Sequence, residues 1–290
     1  MIRLKQAKIE NGMSRLVPFD NISGSHNKAL ECRPDDYRSW YLRGNSLRML
    51  GRYTEAIASY DRAIERFSDD YRAWYQRGNA LDNLGRYGEA IASYNKALEL
   101  RPDDYWAWYQ KGQVYRSLGQ YRDAIASYEQ AIKSYPNDFW AWYRRGDALR
   151  ELGDDSQAIA SYDRALKSKP TDYWSWYWRG YSLQRLGKYR AALNSYEAAI
   201  GYQPDDYWAW YRRGDAMQYL GWYEEAIKSY DKALEIDPNA ASAWYGKACC
   251  YGRLGRVNRG MESLEKALAI APNRYEELAK TNPDFERLRS

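Results

Sequence analysis

Residues Tyr173 to Asp206 read YWSWYWRGYSLQRLGKYRAALNSYEAAIGYQPDD, and this 34-residue plan recurs seven times from Tyr37 to Arg274 without insertion or deletion. Numbering each unit from its first aromatic residue, position 4 is always Trp (Trp40, Trp74, Trp108, Trp142, Trp176, Trp210, Trp244) and position 8 is Gly except at Ala248. Position 11 is Leu, Met or Tyr, so positions 4, 8 and 11 form one stripe of a first helix, A. Gly at position 15 follows an unvarying Leu and suits a left-handed helix cap. A second stripe, Ala at 20 (Gly260 in the last unit), Tyr at 24 (Leu264 in the last) and Ala at 27, predicts an antiparallel helix B. Pro at 32 (Ser68 in the first unit) ends helix B, and the acidic or Asn residues after it offer an N-cap to the next helix A.

A helix pair cannot bury its apolar face alone and must stack on its neighbours, so chain length counts repeats and one elongated array is expected. Paired acids such as Asp35-Asp36, Asp103-Asp104 and Asp205-Asp206 recur at helix starts, where capping and the helix dipole account for them better than acid–base catalysis.

Position 4 Trp, 8 Gly, 11 Leu or Tyr, 20 Ala, 24 Tyr, 27 Ala and 32 Pro together closely resemble the tetratricopeptide repeat. The phrase Ala-Ile-Ala-Ser-Tyr (56 to 60, 90 to 94, 124 to 128, 158 to 162) is similar to tandem arrays abundant in photosynthetic bacteria. The resemblance implies an all-α, right-handed superhelical solenoid of antiparallel helix pairs with the A helices lining a concave groove. The repeats are 37–70, 71–104, 105–138, 139–172, 173–206, 207–240 and 241–274. Residues 1–36 are expected to hold an eroded half-repeat cap, with Asn27 to Pro34 matching the end of a helix B. Residues 275–290 are expected to form a capping helix, blocked at Pro283, and a polar tail.

In this family positions 2, 5, 9, 12 and 13 face the groove, with 6 at its border. Here position 5 is Tyr in all seven repeats (Tyr41, Tyr75, Tyr109, Tyr143, Tyr177, Tyr211, Tyr245), and position 2 is Trp in the middle four (Trp106, Trp140, Trp174, Trp208). The expected partner-binding groove comprises Trp106, Tyr109, Arg116, Trp140, Tyr143, Arg144, Arg150, Trp174, Tyr177, Trp178, Trp208, Tyr211 and Arg212. The Tyr ladder is expected to be the more exposed set, whereas the position-2 Trp either line the groove or pack between A helices. Nine arginines at groove positions face four acids, Asp82, Asp147, Glu151 and Asp215. That surface suits an acidic, aromatic or proline-rich segment unless the arginines pair internally. Arg or Lys at position 7 and an acid at 25 suggest a repeated ion pair between helices. The carboxylate clamp of chaperone-binding relatives is incomplete, because Asn45 and Asn79 occupy position 9 but position 5 is Tyr throughout.

A net charge of +5 requires no polyanion. One histidine, His26, argues against His-based catalysis and His-rich zinc sites, and no Gly-rich phosphate loop follows a strand. Neither enzyme activity nor a cofactor or metal is expected. Cys32, Cys249 and Cys250 fit a reducing compartment. No segment reaches the ~18–20 apolar residues of a membrane span, and the first 20 residues lack a signal-peptide core, so a cytoplasmic location is expected. The expected function is a non-catalytic scaffold or adaptor that holds a partner peptide or helix. The alternatives are single-stranded RNA binding, disfavoured by the modest charge, and service as the interaction subunit of a larger assembly.

Overall fold

The computed structural model describes residues 35–285 together with Glu31 and Arg33; the proposed N-terminal cap therefore lies outside the described residues. Fifteen α-helices and one 3-10 turn make up the described chain, with no strand among these residues. The A helices are α1 (Tyr37–Met49), α3 (Tyr71–Asn83), α5 (Tyr105–Ser117), α7 (Phe139–Leu152), α9 (Tyr173–Arg185), α11 (Tyr207–Tyr219) and α13 (Ala241–Arg253). The B helices are α2 (Tyr53–Arg66), α4 (Tyr87–Leu100), α6 (Tyr121–Ser134), α8 (Asp155–Ser168), α10 (Tyr189–Tyr202), α12 (Tyr223–Ile236) and α14 (Val257–Ile270). Helix α15 (Pro272–Thr281) and the turn Pro283–Phe285 complete the described chain.

Where the period suggests one uninterrupted array, contacts divide the chain into two compact units, Met1–Leu118 and Gly119–Ser290. Within each unit consecutive helices pack in sequence, the arrangement of a helical-repeat solenoid. Asp36, Asp70, Asp104, Asp138, Asp172 and Asp206 each cap an A helix by accepting from a first-turn backbone N–H. Capping thus accounts for these acids.

One close approach sets the core. The position-24 tyrosines of α2, α4, α8, α10 and α12 are fully buried, and each ring lies flat against the position-8 glycine of its own repeat. A Cβ on Gly180 would stand 2.8 Å from the Tyr196 ring, and one on Gly146 2.8 Å from Tyr162. The last repeat solves the same problem differently: Ala248 meets Leu264 in one buried cluster, a larger position 8 against a smaller position 24. Burying each such ring contributes about 2–3 kcal/mol before entropy is counted. Its hydroxyl also needs an acceptor. Asn45, Asn79 and Asp147 at position 9 accept from Tyr60, Tyr94 and Tyr162 at 2.8, 2.9 and 3.1 Å. In later repeats Gln184 and Gln218 at position 12 do so for Tyr196 and Tyr230 at 2.8 and 3.0 Å. The position-9 asparagines are thereby occupied with the core.

Position 7 ties neighbouring B helices to the A helix between them. Arg179 meets Asp163 of the preceding repeat at 2.7 Å and Ser195 of its own at 2.6 Å. Arg77, Arg145 and Arg213 bridge in the same way, and Lys247 pairs with Asp231 at 2.6 Å. The expected interhelical ion pair is present, with the serine as an added partner.

The chain end departs from expectation in two respects. Helix α15 begins at Pro272, three residues earlier than Tyr275, because proline is favoured at the first helical position and no acid caps the later start. The segment beyond α15 is not a purely polar cover: Phe285 is buried among Ala248, Cys249 and Leu264, edge-on to Tyr245.

Candidate functional site

Trp106, Tyr109 and Arg116 lie on α5 in the first unit, and the other ten expected groove residues lie on α7, α9 and α11 in the second. Against the expectation for the Tyr ladder, the position-2 tryptophans are the more exposed set. Trp106, Trp140, Trp174 and Trp208 are 58, 51, 43 and 50% exposed, whereas Tyr143 and Tyr177 are only 8 and 5% exposed. The physical reason is a ring sandwich: Tyr177 stacks on Tyr173 at 6.0 Å and leans on the core ring of Tyr196 at 6.0 Å. Tyr143 is held likewise by Phe139 and Tyr162. Burial pushes both phenols above their ordinary pKa, which keeps them neutral. The remaining ladder tyrosines, including Tyr109 and Tyr211, are half-buried.

Position 4 and position 2 tryptophans differ as sharply. The position-4 indole N–H donates to the carbonyl oxygen six residues earlier, from Trp176 to Pro170 at 2.8 Å and from Trp142 to Pro136 at 2.7 Å. The N–H groups of Trp140, Trp174 and Trp208 have no hydrogen-bond partner among the described residues. One set ties helix A to the preceding turn, and the other stands at the surface.

Three contiguous hollows run along α7, α9 and α11. The first, of about 400 Å3, is lined by Phe139, Trp140, Tyr143, Arg144, Asp147, Arg150, Asp172, Trp174 and Trp178. Arg150, Trp174 and Trp178 pass into the second, of about 390 Å3, which adds Tyr177, Tyr181, Trp208 and Arg212. Tyr181 and Arg212 continue into the third, of about 340 Å3, with Gln184, Arg185, Tyr189, Asp215 and Tyr219. Trp178 is fixed by four contacts: Trp174 stacks at 6.3 Å, Tyr177 and Tyr181 meet it edge-on at 4.9 and 5.7 Å, and the Arg150 guanidinium lies 4.1 Å from its ring.

The groove arginines are engaged within the chain. Arg144 pairs with Asp147 at 3.2 Å, Arg150 with Glu151 at 2.6 Å and Arg212 with Asp215 at 3.5 Å. Burial pushes the Asp215 carboxyl above its ordinary pKa, and bonds from Gln184 and Arg212 offset only part of that cost. Internal pairing therefore leaves these three arginines of the hollows locally balanced.

Tyr181, Tyr189 and Tyr219 were not among the expected site residues. Tyr181 carries a readable signal, since it is an aromatic residue at position 9 where every other repeat has a small or amide or acidic side chain. Tyr189 and Tyr219 stack at 4.7 Å with 5° between their planes, although one begins α10 and the other ends α11, a pairing no helical period reveals. No group of three or more His, Cys, Asp or Glu able to hold a metal occurs among the described residues, and none of their helices is long and apolar enough to cross a membrane.

The chain is similar to several solved helical-repeat structures. YrrB, a TPR protein with an unusual peptide-binding site, is 27% identical over 65% of this chain and 97% of that one, with a TM-score of 0.60. The C-terminal part of a TPR repeat-containing protein from Cytophaga hutchinsonii has a TM-score of 0.67 at 19% identity, covering 79% of this chain and 94% of its own. MamA from Desulfovibrio magneticus RS-1 is 24% identical over 59% of this chain and 96% of that one, with a TM-score of 0.54. No curated protein matches the sequence. Profiles described as tetratricopeptide repeat match residues 27–70, 41–105, 109–173 and 177–239, and a further one residues 219–281. With the helix pairs, the glycine–tyrosine contact and these matches in hand, the chain belongs to the tetratricopeptide repeat family, a family of protein–protein interaction scaffolds.

Proposed function

We propose that the second unit is a peptide-binding module that holds an extended segment of a protein partner along α7, α9 and α11, without catalysis. The observation that carries this reading is the row of three half-exposed tryptophans, Trp140, Trp174 and Trp208, spaced one repeat apart on the rims of contiguous hollows. Large rings held on rigid helices offer contact area at little cost in side-chain entropy. The peptide-binding site named for YrrB is in line with this assignment. Single-stranded nucleic acid is the weaker alternative, because phosphates need available cations and Arg144, Arg150 and Arg212 already face carboxylates.

A random peptide library displayed against the full chain tests the reading. Sequences should be enriched on the wild type and lost on the Trp140→Ala/Trp174→Ala/Trp208→Ala variant. Equal enrichment on both proteins would move the site elsewhere.

A further inference from the structure

Each middle repeat of the second unit carries tryptophans at positions 2 and 4 in opposite hydrogen-bond states. The inner one shows what an indole in this protein does when a proline carbonyl is within reach. Trp142, Trp176, Trp210 and Trp244 donate to Pro136, Pro170, Pro204 and Pro238 at 2.7, 2.8, 2.8 and 3.0 Å. The outer ones, Trp140, Trp174 and Trp208, present the same donor on rings that are half-exposed.

Charge narrows the occupant further. Arg144, Arg150, Arg185 and Arg212, which border the hollows, each already pair with an acid, Asp147, Glu151, Asp155 and Asp215, so an acidic segment gains less here than it would from unpaired cations. An uncharged segment is complementary to a surface neutralised in this way.

Resting on the peptide-binding reading above, we propose that the occupant is an uncharged proline-rich segment in the polyproline II conformation, with every third residue seated at one of Trp140, Trp174 and Trp208. Such a helix makes one turn in three residues and advances ~3.1 Å per residue, or about 9 Å per turn. Packed helices stand roughly 8–10 Å apart, and α7 touches α9 as α9 touches α11. One ligand turn is therefore comparable to one helix spacing, and the proposal seats the same face of the ligand at each tryptophan. Polyproline II has no internal hydrogen bonds, so its carbonyls are available to the three indole N–H groups, and its stiffness lowers the entropy lost on binding.

The test is a tryptophan-fluorescence titration of the full chain with the peptide acetyl-(Pro-Pro-Ala)4-amide. An acidic peptide of equal length and a dodecamer of uridylate are titrated in parallel. Saturable binding of the proline peptide alone is expected, changing less than about twofold between low and high salt, as an uncharged contact should. Trp174→Phe keeps a ring but loses the donor, and it should weaken binding about fivefold with an unchanged thermal melt. Tighter binding of the acidic peptide or the RNA, or full affinity in Trp174→Phe, overturns the proposal. If the displayed library instead yields tryptophan-dependent peptides without proline, this inference fails while the peptide-binding reading stands. If it yields none that depend on the tryptophans, both fail.

Discussion

The fifth and seventh repeats use the same helix-A positions in contrary ways. On α9, positions 2 and 12 are Trp174 and Gln184, and the surface stays open as two adjoining hollows. On α13 those positions are Ser242 and Gly252, and the chain covers the helix with its own Asn282 to Phe285. The Asn282 amide donates to the Tyr245 hydroxyl at 3.0 Å and lies 3.3 Å from the Cys249 sulfur. Asp284 pairs with Arg253, and its carbonyl oxygen sits where a Cβ on Gly252 would have to go. The missing side chain at Gly252 lets backbone settle onto α13, whereas Gln184 at the same position of α9 lines an open hollow.

The largest effect should come from uncovering the seventh repeat. Phe285→Ala removes a fully buried ring and should cost about 3 kcal/mol locally. Burial pushes the Cys249 thiol up to about 12, so it should react sluggishly in the wild type. Loss of the ring should accelerate labelling of Cys249 by a thiol reagent roughly a hundredfold. Unchanged labelling would mean that Asn282 to Phe285 is not the cover. A smaller effect is expected from exporting the seventh repeat's core pair to the fifth. Gly180→Ala should destabilise by about 2 kcal/mol in a denaturant melt, since Tyr196 is sealed on every side and steric overlap outweighs the better helix propensity of alanine. Combining it with Tyr196→Leu, the Ala248/Leu264 arrangement, should show a favourable coupling of at least about 1 kcal/mol; strict additivity would break the size argument.

The fold was legible because its determinants are local and periodic. A glycine at position 8, a ring at 24 and acids before each helix A announce themselves at fixed spacing, and so does the Arg179–Asp163 type of pair. Depth was not legible. Positions 2 and 5 lie one turn apart on the same face of helix A, and the period cannot say which ring turns inward. That is decided by Tyr173 and Tyr196, four residues before and nineteen after Tyr177. The pairing of the groove arginines escapes the period for a related reason, since Arg212 and Asp215 are three residues apart and only the folded helix brings them to 3.5 Å.

The smallest expected effect separates the two tryptophan sets. Trp176→Phe loses the bond to Pro170 and should lower stability by about 1 kcal/mol, whereas Trp174→Phe should change it by less than about 0.3 kcal/mol. Equal losses in calorimetric melts would show that both indoles serve the scaffold.

At Arg77, Arg145, Arg179 and Arg213 the position-7 side chain reaches sixteen residues back to an acid and sixteen forward to a serine, so these four junctions are written in two adjoining units in the same terms. Excising residues 173–206 as a block would hand Arg213 the carboxylate of Asp163 in place of Glu197. Removal of a whole unit between two such junctions therefore leaves a matching seam, so the length of the array can change in steps of 34 residues without a new joint.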